Sequence, residues 1–246
     1  MYAVIAFDTS AIFNKDKYYL KYGSYEVEIV KECVVDVCES DNKRNISNQI
    51  IIECSKSGQN HAHESGLRLL SELSWFYGIS IYSTFHTGGS IPVKGLTRFV
   101  GHCGGWRTPV DISSFVPIET GREQRDAMSL YREGISSNSD LYMLLCLYKI
   151  LEINMKRDER RDLIIGYIRE KRLSNKSFGL GNEKMSPDDV ERFVYSNGRC
   201  GVAHANMDSR LIIDKFKDLQ QARFCNSILQ PVVEKYMSED MKLPRF

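Results

Sequence analysis

The sequence predicts an α+β fold: a β-rich N-terminal module with one or more helices, followed by an all-α helical bundle. Three observations lead there. Up to about residue 118 the chain carries short runs rich in Tyr, Val and Ile, partly alternating. Beyond about residue 119 the apolar residues fall at helical spacing and strand patterns all but vanish. The 246 residues, 42% apolar and 26% charged, suit one large or two small soluble domains. The composition shift near Pro117-Ile118 places two domains at 1–118 and 119–246.

Each element has a local reason. Tyr2 to Phe7 is a short apolar run of strand type. Tyr18 to Val37 alternates, with Tyr25, Val27 and Ile29 on one side, and Gly23-Ser24 within it predicts a hairpin turn. Asp41 to Asn48 is polar and reads as a loop. Gln49 to Ser55 is a buried-type strand. From His63 to Tyr77 the period becomes helical, with Leu67, Leu70, Leu73 and the Trp75-Phe76 pair, and Gly78 stands where a helix-ending glycine belongs. Ile79 to Phe85 is a further strand, and the Gly-rich stretch from Gly88 to Pro117 reads as loop.

In the second half a charged start at Gly121 leads into an apolar helix to Tyr131. Ser139 to Met155 places Leu141, Leu144, Leu145 and Tyr148 on one stripe. Glu159 to Arg172 repeats this with Leu163, Ile164, Tyr167 and Ile168. Ser174 to Lys184 is polar loop. Ser186-Pro187-Asp188-Asp189 predicts a helix start: a capping serine, proline at the first position and acids in the first turn. Asn197-Gly198 is expected to break that helix. A long final helix starts near Ser209 or Asp214 and runs to Met237, with Pro231 as a potential kink.

With 33 Lys+Arg against 32 Asp+Glu, the net charge is +1, which excludes a uniformly basic chain but not a local basic patch. No stretch has the ~18 consecutive apolar residues of a membrane span, so no membrane partner is expected. The start lacks a basic n-region and carries Asp8, unlike a signal peptide. Seven cysteines, scattered and without a CxxC pair, suit a reducing compartment, and a cytoplasmic location is expected.

The segment most informative about chemistry is Arg199-Cys200-Gly201-Val202-Ala203-His204. In a regular helix, positions five apart lie about 140° apart. Arg199 and His204 therefore converge only if the arginine sits at a helix terminus or in the preceding turn, which the Asn197-Gly198 break allows. Gly201 and Ala203 leave room for a close neighbour.

Here the sequence resembles the HEPN superfamily, small helical domains defined by an arginine and a histidine with four to six residues between. The match is Arg199-x4-His204 followed by Ala205-Asn206, set between a short helix and a long C-terminal one, and it covers about residues 119–246. The overall layout, with the helix LLSELSWFYG in a β-rich N-terminal half, more loosely resembles ApeA-type and methylamine-utilisation-J-type HEPN proteins. One position departs: Cys200 follows the arginine where active members usually carry a polar residue.

The resemblance implies a metal-independent endoribonuclease that cleaves single-stranded RNA to a 2′,3′-cyclic phosphate, in a defence, toxin or stress role. An unperturbed imidazole titrates near neutral pH, so His204 suits moving the proton of the 2′-hydroxyl, and Arg199 matches phosphate with a planar fork. The resemblance gives supporting places to Cys200, Asn206 and Glu152, the last as an acid on a preceding helix that orients the arginine. No cofactor and no metal is implied. The expected partners are RNA, a second copy joined through the helical domain so that two Arg/His pairs share one cleft, and a protein partner or antitoxin. The alternatives are a non-catalytic HEPN-like module binding RNA, nucleotide or protein, and an accessory or assembly factor.

Arg169, Lys171, Arg172 and Lys176 form a one-sided basic cluster that can meet an RNA backbone. The run from Lys156 to Arg161 is mixed in sign and reads as a solvated helix junction. His61 and His63 lack a third ligand at metal spacing and are expected at the start of a helix. His102-Cys103 lacks a third orienting group for a nucleophile. Gly179-Leu180-Gly181 lacks the strand and the Lys-Ser/Thr pair of a phosphate loop. The N-terminal module is expected to sense, recruit or block the helical half.

Overall fold

A computed structural model describes residues 1–36, 43–92, 107–171, 185–203, 211–212 and 215–245. It has an N-terminal sheet module followed by a helical region, an α+β architecture. The chain divides into two compact units at Thr120 and Gly121, with the end of the chain at Arg245 grouped with the first.

In the first unit, β1 (Tyr2–Thr9), β3 (Lys17–Tyr22), β4 (Tyr25–Val30), β7 (Asn48–Glu53) and β8 (Ile81–Gly89) form one antiparallel sheet in the order β3-β4-β7-β1-β8. Central β7 and its neighbour β1 are buried on both faces, so they read as apolar runs rather than alternating ones. The β3–β4 hairpin pairs Tyr22 with Tyr25 across Gly23-Ser24, and Gly23 takes the left-handed φ of 60° that the turn requires. Helix α1 (Gln59–Tyr77) lies on the sheet, burying Leu69, Leu70 and Leu73 with Ile5, Ile50 and Ile52. Gly66 lets it approach: a Cβ there would stand 2.5 Å from Ile5 Cδ1. Gly78, at φ 62°, ends α1 and donates to the Ser74 and Trp75 carbonyls.

Two short ladders complete the unit and correct the sequence reading. Lys43–Ile46, expected as loop, is strand β6 and pairs with β5 (Cys33–Asp36). Its partner β5 exposes Cys33 and Val34, and the run Lys-Arg-Asn-Ile has no hydrophobic alternation to read. Within the expected Gly-rich loop, Thr108–Val110 forms β9, parallel to β2 (Ala11–Phe13). Val110, Ile112 and Phe115 then enter the core.

The second unit contains α2 (Arg122–Ser136), α3 (Asp140–Glu152), α4 (Arg157–Glu170), α5 (Pro187–Phe193), a π-helical turn (Val194–Cys200), α6 (Gly201–Ala203) and α7 (Phe216–Glu239). Among these described elements α3 is central, packed on α2, α7 and the π-helical turn. Its Leu144, Leu147, Ile150 and Leu151 are buried with Ile228, Leu229, Val232 and Val233 of α7. Ser186 caps α5 by accepting from the Asp189 N–H at 3.2 Å. Pro231 lies inside α7, which begins at Phe216, later than expected.

The Asn197-Gly198 break is overturned. Both residues lie within a helix that widens instead of ending, from α5 through the π-helical turn into α6. Gly198 explains its own place: a Cβ there would meet Cys225 Sγ at 2.9 Å and Leu144 Cδ2 at 3.4 Å.

Candidate functional site

The site forms where the end of α3 faces the π-helical turn. On α3, Leu144, Tyr148 and Glu152 recur every four residues and share one face. Opposite them stand Gly198 against Leu144, Tyr195 against Tyr148 and Arg199 against Glu152. The two tyrosine rings have centroids 6.1 Å apart, and Arg199 Nη2 lies 3.1 Å from Glu152 Oε1. A π-helical turn is wider than α and recurs at functional sites; here it carries Arg199 in its last residues.

Arg199 and Glu152 keep 26% and 28% side-chain exposure, so the ion pair is open to solvent on one side. Partial burial works against the Arg199 charge, but Glu152 and the Cys200 sulfur outweigh it and hold the guanidinium protonated. Cys200 itself is buried. His204 and Asn206 lie outside the described residues, as do Arg172 and Lys176 of the basic cluster, His102-Cys103 and Gly179-Leu180-Gly181.

The described part of the basic cluster is largely engaged. Arg169 reaches Asp188 at 3.4 Å and Arg161 reaches it at 3.2 Å, joining α4 to the acidic start of α5. Lys171 pairs with Glu170 at 3.3 Å.

The run from Lys156 to Arg161 is a correction. Arg157 is not simply solvated: its guanidinium lies 3.9 Å from the Tyr195 ring centroid and 2.7 Å from Glu191 Oε1, a carboxylate with 4% side-chain exposure. Arg160 stands 5.6 Å from the Tyr148 ring and donates to the Met155 carbonyl at 2.6 Å. Burial pushes the Tyr148 phenol up, with Arg157 and Arg160 pulling it back. The sequence signal was present, since Tyr148 and Tyr195 each precede a site residue by four. Nothing local, however, pairs a residue of α4 with one beyond 185.

The histidines at the start of α1 are structural. His61 Nδ1 lies 2.8 Å from the Tyr25 hydroxyl. His63 bridges the Gln59 and Thr87 carbonyls at 3.1 and 2.9 Å. Among the described residues no group of three or more His, Cys, Asp and Glu side chains is placed to hold a metal, and no helix is long and apolar enough to cross a membrane. In a cleft of about 470 Å³ near the start of α2, Asn154 donates to Glu123 and Gln124 donates to the Met241 carbonyl.

The fold and site thus describe an α+β protein whose helical unit presents a carboxylate-held arginine on a π-helical turn. Residues 127–229, less than half of the chain, match the model of the family described as methylamine utilization protein MauJ, which is HEPN-like. That segment includes α3, the π-helical turn, Arg199 and Glu152. No curated protein and no solved structure matches the chain.

Proposed function

We propose that the helical unit is a metal-independent endoribonuclease of HEPN type, acting on single-stranded RNA with Arg199 as the phosphate-binding group. The observation that carries this reading is the Arg199–Glu152 pair: a planar cation on an unusual turn, aimed by a carboxylate and still reachable from solvent. RNA supplies its own nucleophile in the 2′-hydroxyl, and the protein must move one proton and stabilise charge on the phosphorane oxygens. Arg199 remains charged at all relevant pH and offers forked donors to those oxygens. Glu152 holds the guanidinium in place from α3. His204, five positions on, is the proton-transfer group, with Cys200 and Asn206 beside the pair in sequence. A two-fold pairing of helical units brings the second histidine that an acid–base cycle needs.

The test is the full chain with a panel of single-stranded RNAs and chelator present. The expected products end in a 2′,3′-cyclic phosphate and a 5′-hydroxyl, and Arg199→Ala and His204→Ala each abolish them. A parent that leaves every RNA intact, or an H204A chain that cleaves at the parental rate, refutes the reading. The family match favours a second one, an accessory or assembly role in methylamine utilisation. It predicts co-purification with a dehydrogenase and no cleaved RNA.

A further inference from the structure

We propose that Arg157 is a positioning residue for the Arg199 site, holding the π-helical turn in place through the Tyr195 ring and the Glu191 carboxylate. The functional meaning of this assignment rests on the reading above; its geometry does not depend on RNA.

The π-helical turn begins directly after α5, and Glu191 and Tyr195 straddle that junction four residues apart. One guanidinium grips both. Its Cζ stands over the Tyr195 ring, 3.9 Å from the centroid and within cation–π range, and its Nη1 meets Glu191 Oε1 at 2.7 Å. Glu191 is 3% exposed. Its charge has left water and is held by Arg157, so removing the arginine leaves a buried carboxylate uncompensated. Tyr195 leads on to Arg199 at the same four-residue interval that separates Tyr148 from Glu152 on α3. The ring pair and the ion pair are therefore successive rungs of one ladder. A Tyr195 ring released from Arg157 shifts the rung that aims Arg199. Cys200, adjoining Arg199 and buried, reports that shift directly.

The experiment measures iodoacetamide labelling of each cysteine by peptide mass spectrometry in the native full chain. Arg157→Ala and Tyr195→Leu should each speed Cys200 labelling about tenfold or more through local opening, while Cys146 and Cys225 stay protected. Tyr195→Phe keeps the ring and should leave the rate at the parental value. Arg157→Lys keeps the charge without the plane and should label faster than the parent, which preserves the test if the alanine variant does not fold. Unchanged Cys200 labelling overturns the proposal, and so does a rise matched by Cys146 and Cys225, since that marks general loosening. In the RNA assay, Arg157→Ala should lower kcat with KM unchanged. A parent inactive on RNA would sink the nuclease reading and leave the labelling pattern to decide this one.

Discussion

Gly198→Ala tests whether the π-helical turn is seated by close packing. The added Cβ would stand 2.9 Å from Cys225 Sγ and 3.4 Å from Leu144 Cδ2, and ordinary contact begins near 3.4 Å. Cys225 has no exposed surface, and burial pushes its thiol pKa up to about 12, so the sulfur behaves as a neutral packed atom. Overpacking of this kind costs about 1–3 kcal/mol, against about 1 kcal/mol gained when alanine replaces glycine in a helix. The expected net loss is about 0–2 kcal/mol, read by urea unfolding of the full chain followed by circular dichroism. The double variant Gly198→Ala/Cys225→Ala removes the obstructing sulfur. It should be more stable than the sum of the single changes by about 1 kcal/mol or more. Additivity within about 0.5 kcal/mol would refute the argument, and so would an alanine variant more stable than the parent.

Three further outcomes are expected. Glu72 is buried, accepts from the Tyr22 hydroxyl at 2.5 Å and from the Ile118 N–H at 3.4 Å, and burial raises its pKa despite both bonds. The folded chain then holds this proton more tightly than the unfolded one, so its contribution is full below the unfolded pKa and lost as pH rises through the folded pKa. Glu72→Gln should gain in Tm relative to the parent as pH rises above the ordinary carboxylate range; a constant difference would contradict this. Ser186→Ala, which removes the α5 cap, should cost about 1 kcal/mol in urea unfolding. Asp188→Asn should change stability by under about 0.5 kcal/mol, because its bridges are exposed. By freeing Arg161 and Arg169 it should also tighten RNA retention at low salt, in a filter-binding assay.

What could be read from the chain follows the range of the interactions involved. The α5 start is written in four adjacent residues, and the structure shows the cap they describe. Gly78 likewise acts within its own turn. The β7 strand shows because burial on both faces leaves an unbroken apolar run. Lys43–Ile46 does not show, because the run Lys-Arg-Asn-Ile has no hydrophobic alternation. At Asn197-Gly198 local chemistry misled: both residues favour turns, yet contact with Cys225 and Leu144, distant in sequence, holds Gly198 inside a helix. The candidate site divides the same way. Arg199 stands out in its own segment, whereas Glu152 is reached only through resemblance. The Arg157–Glu191–Tyr195 grip joins α4 to a segment beyond 185 and has no local signature.

The widened turn also changes how relatives of this chain should be compared. Removing any one residue between Val194 and Arg199 would return the segment to ordinary α geometry. The facing of Tyr195, Gly198 and Arg199 on Tyr148, Leu144 and Glu152, which the wider turn sets, would then be lost. A one-residue gap here is thus equivalent to losing the arginine. Sequences aligned on the interval to the histidine alone would hide that loss, whereas alignment on Tyr195 and Gly198 would expose it.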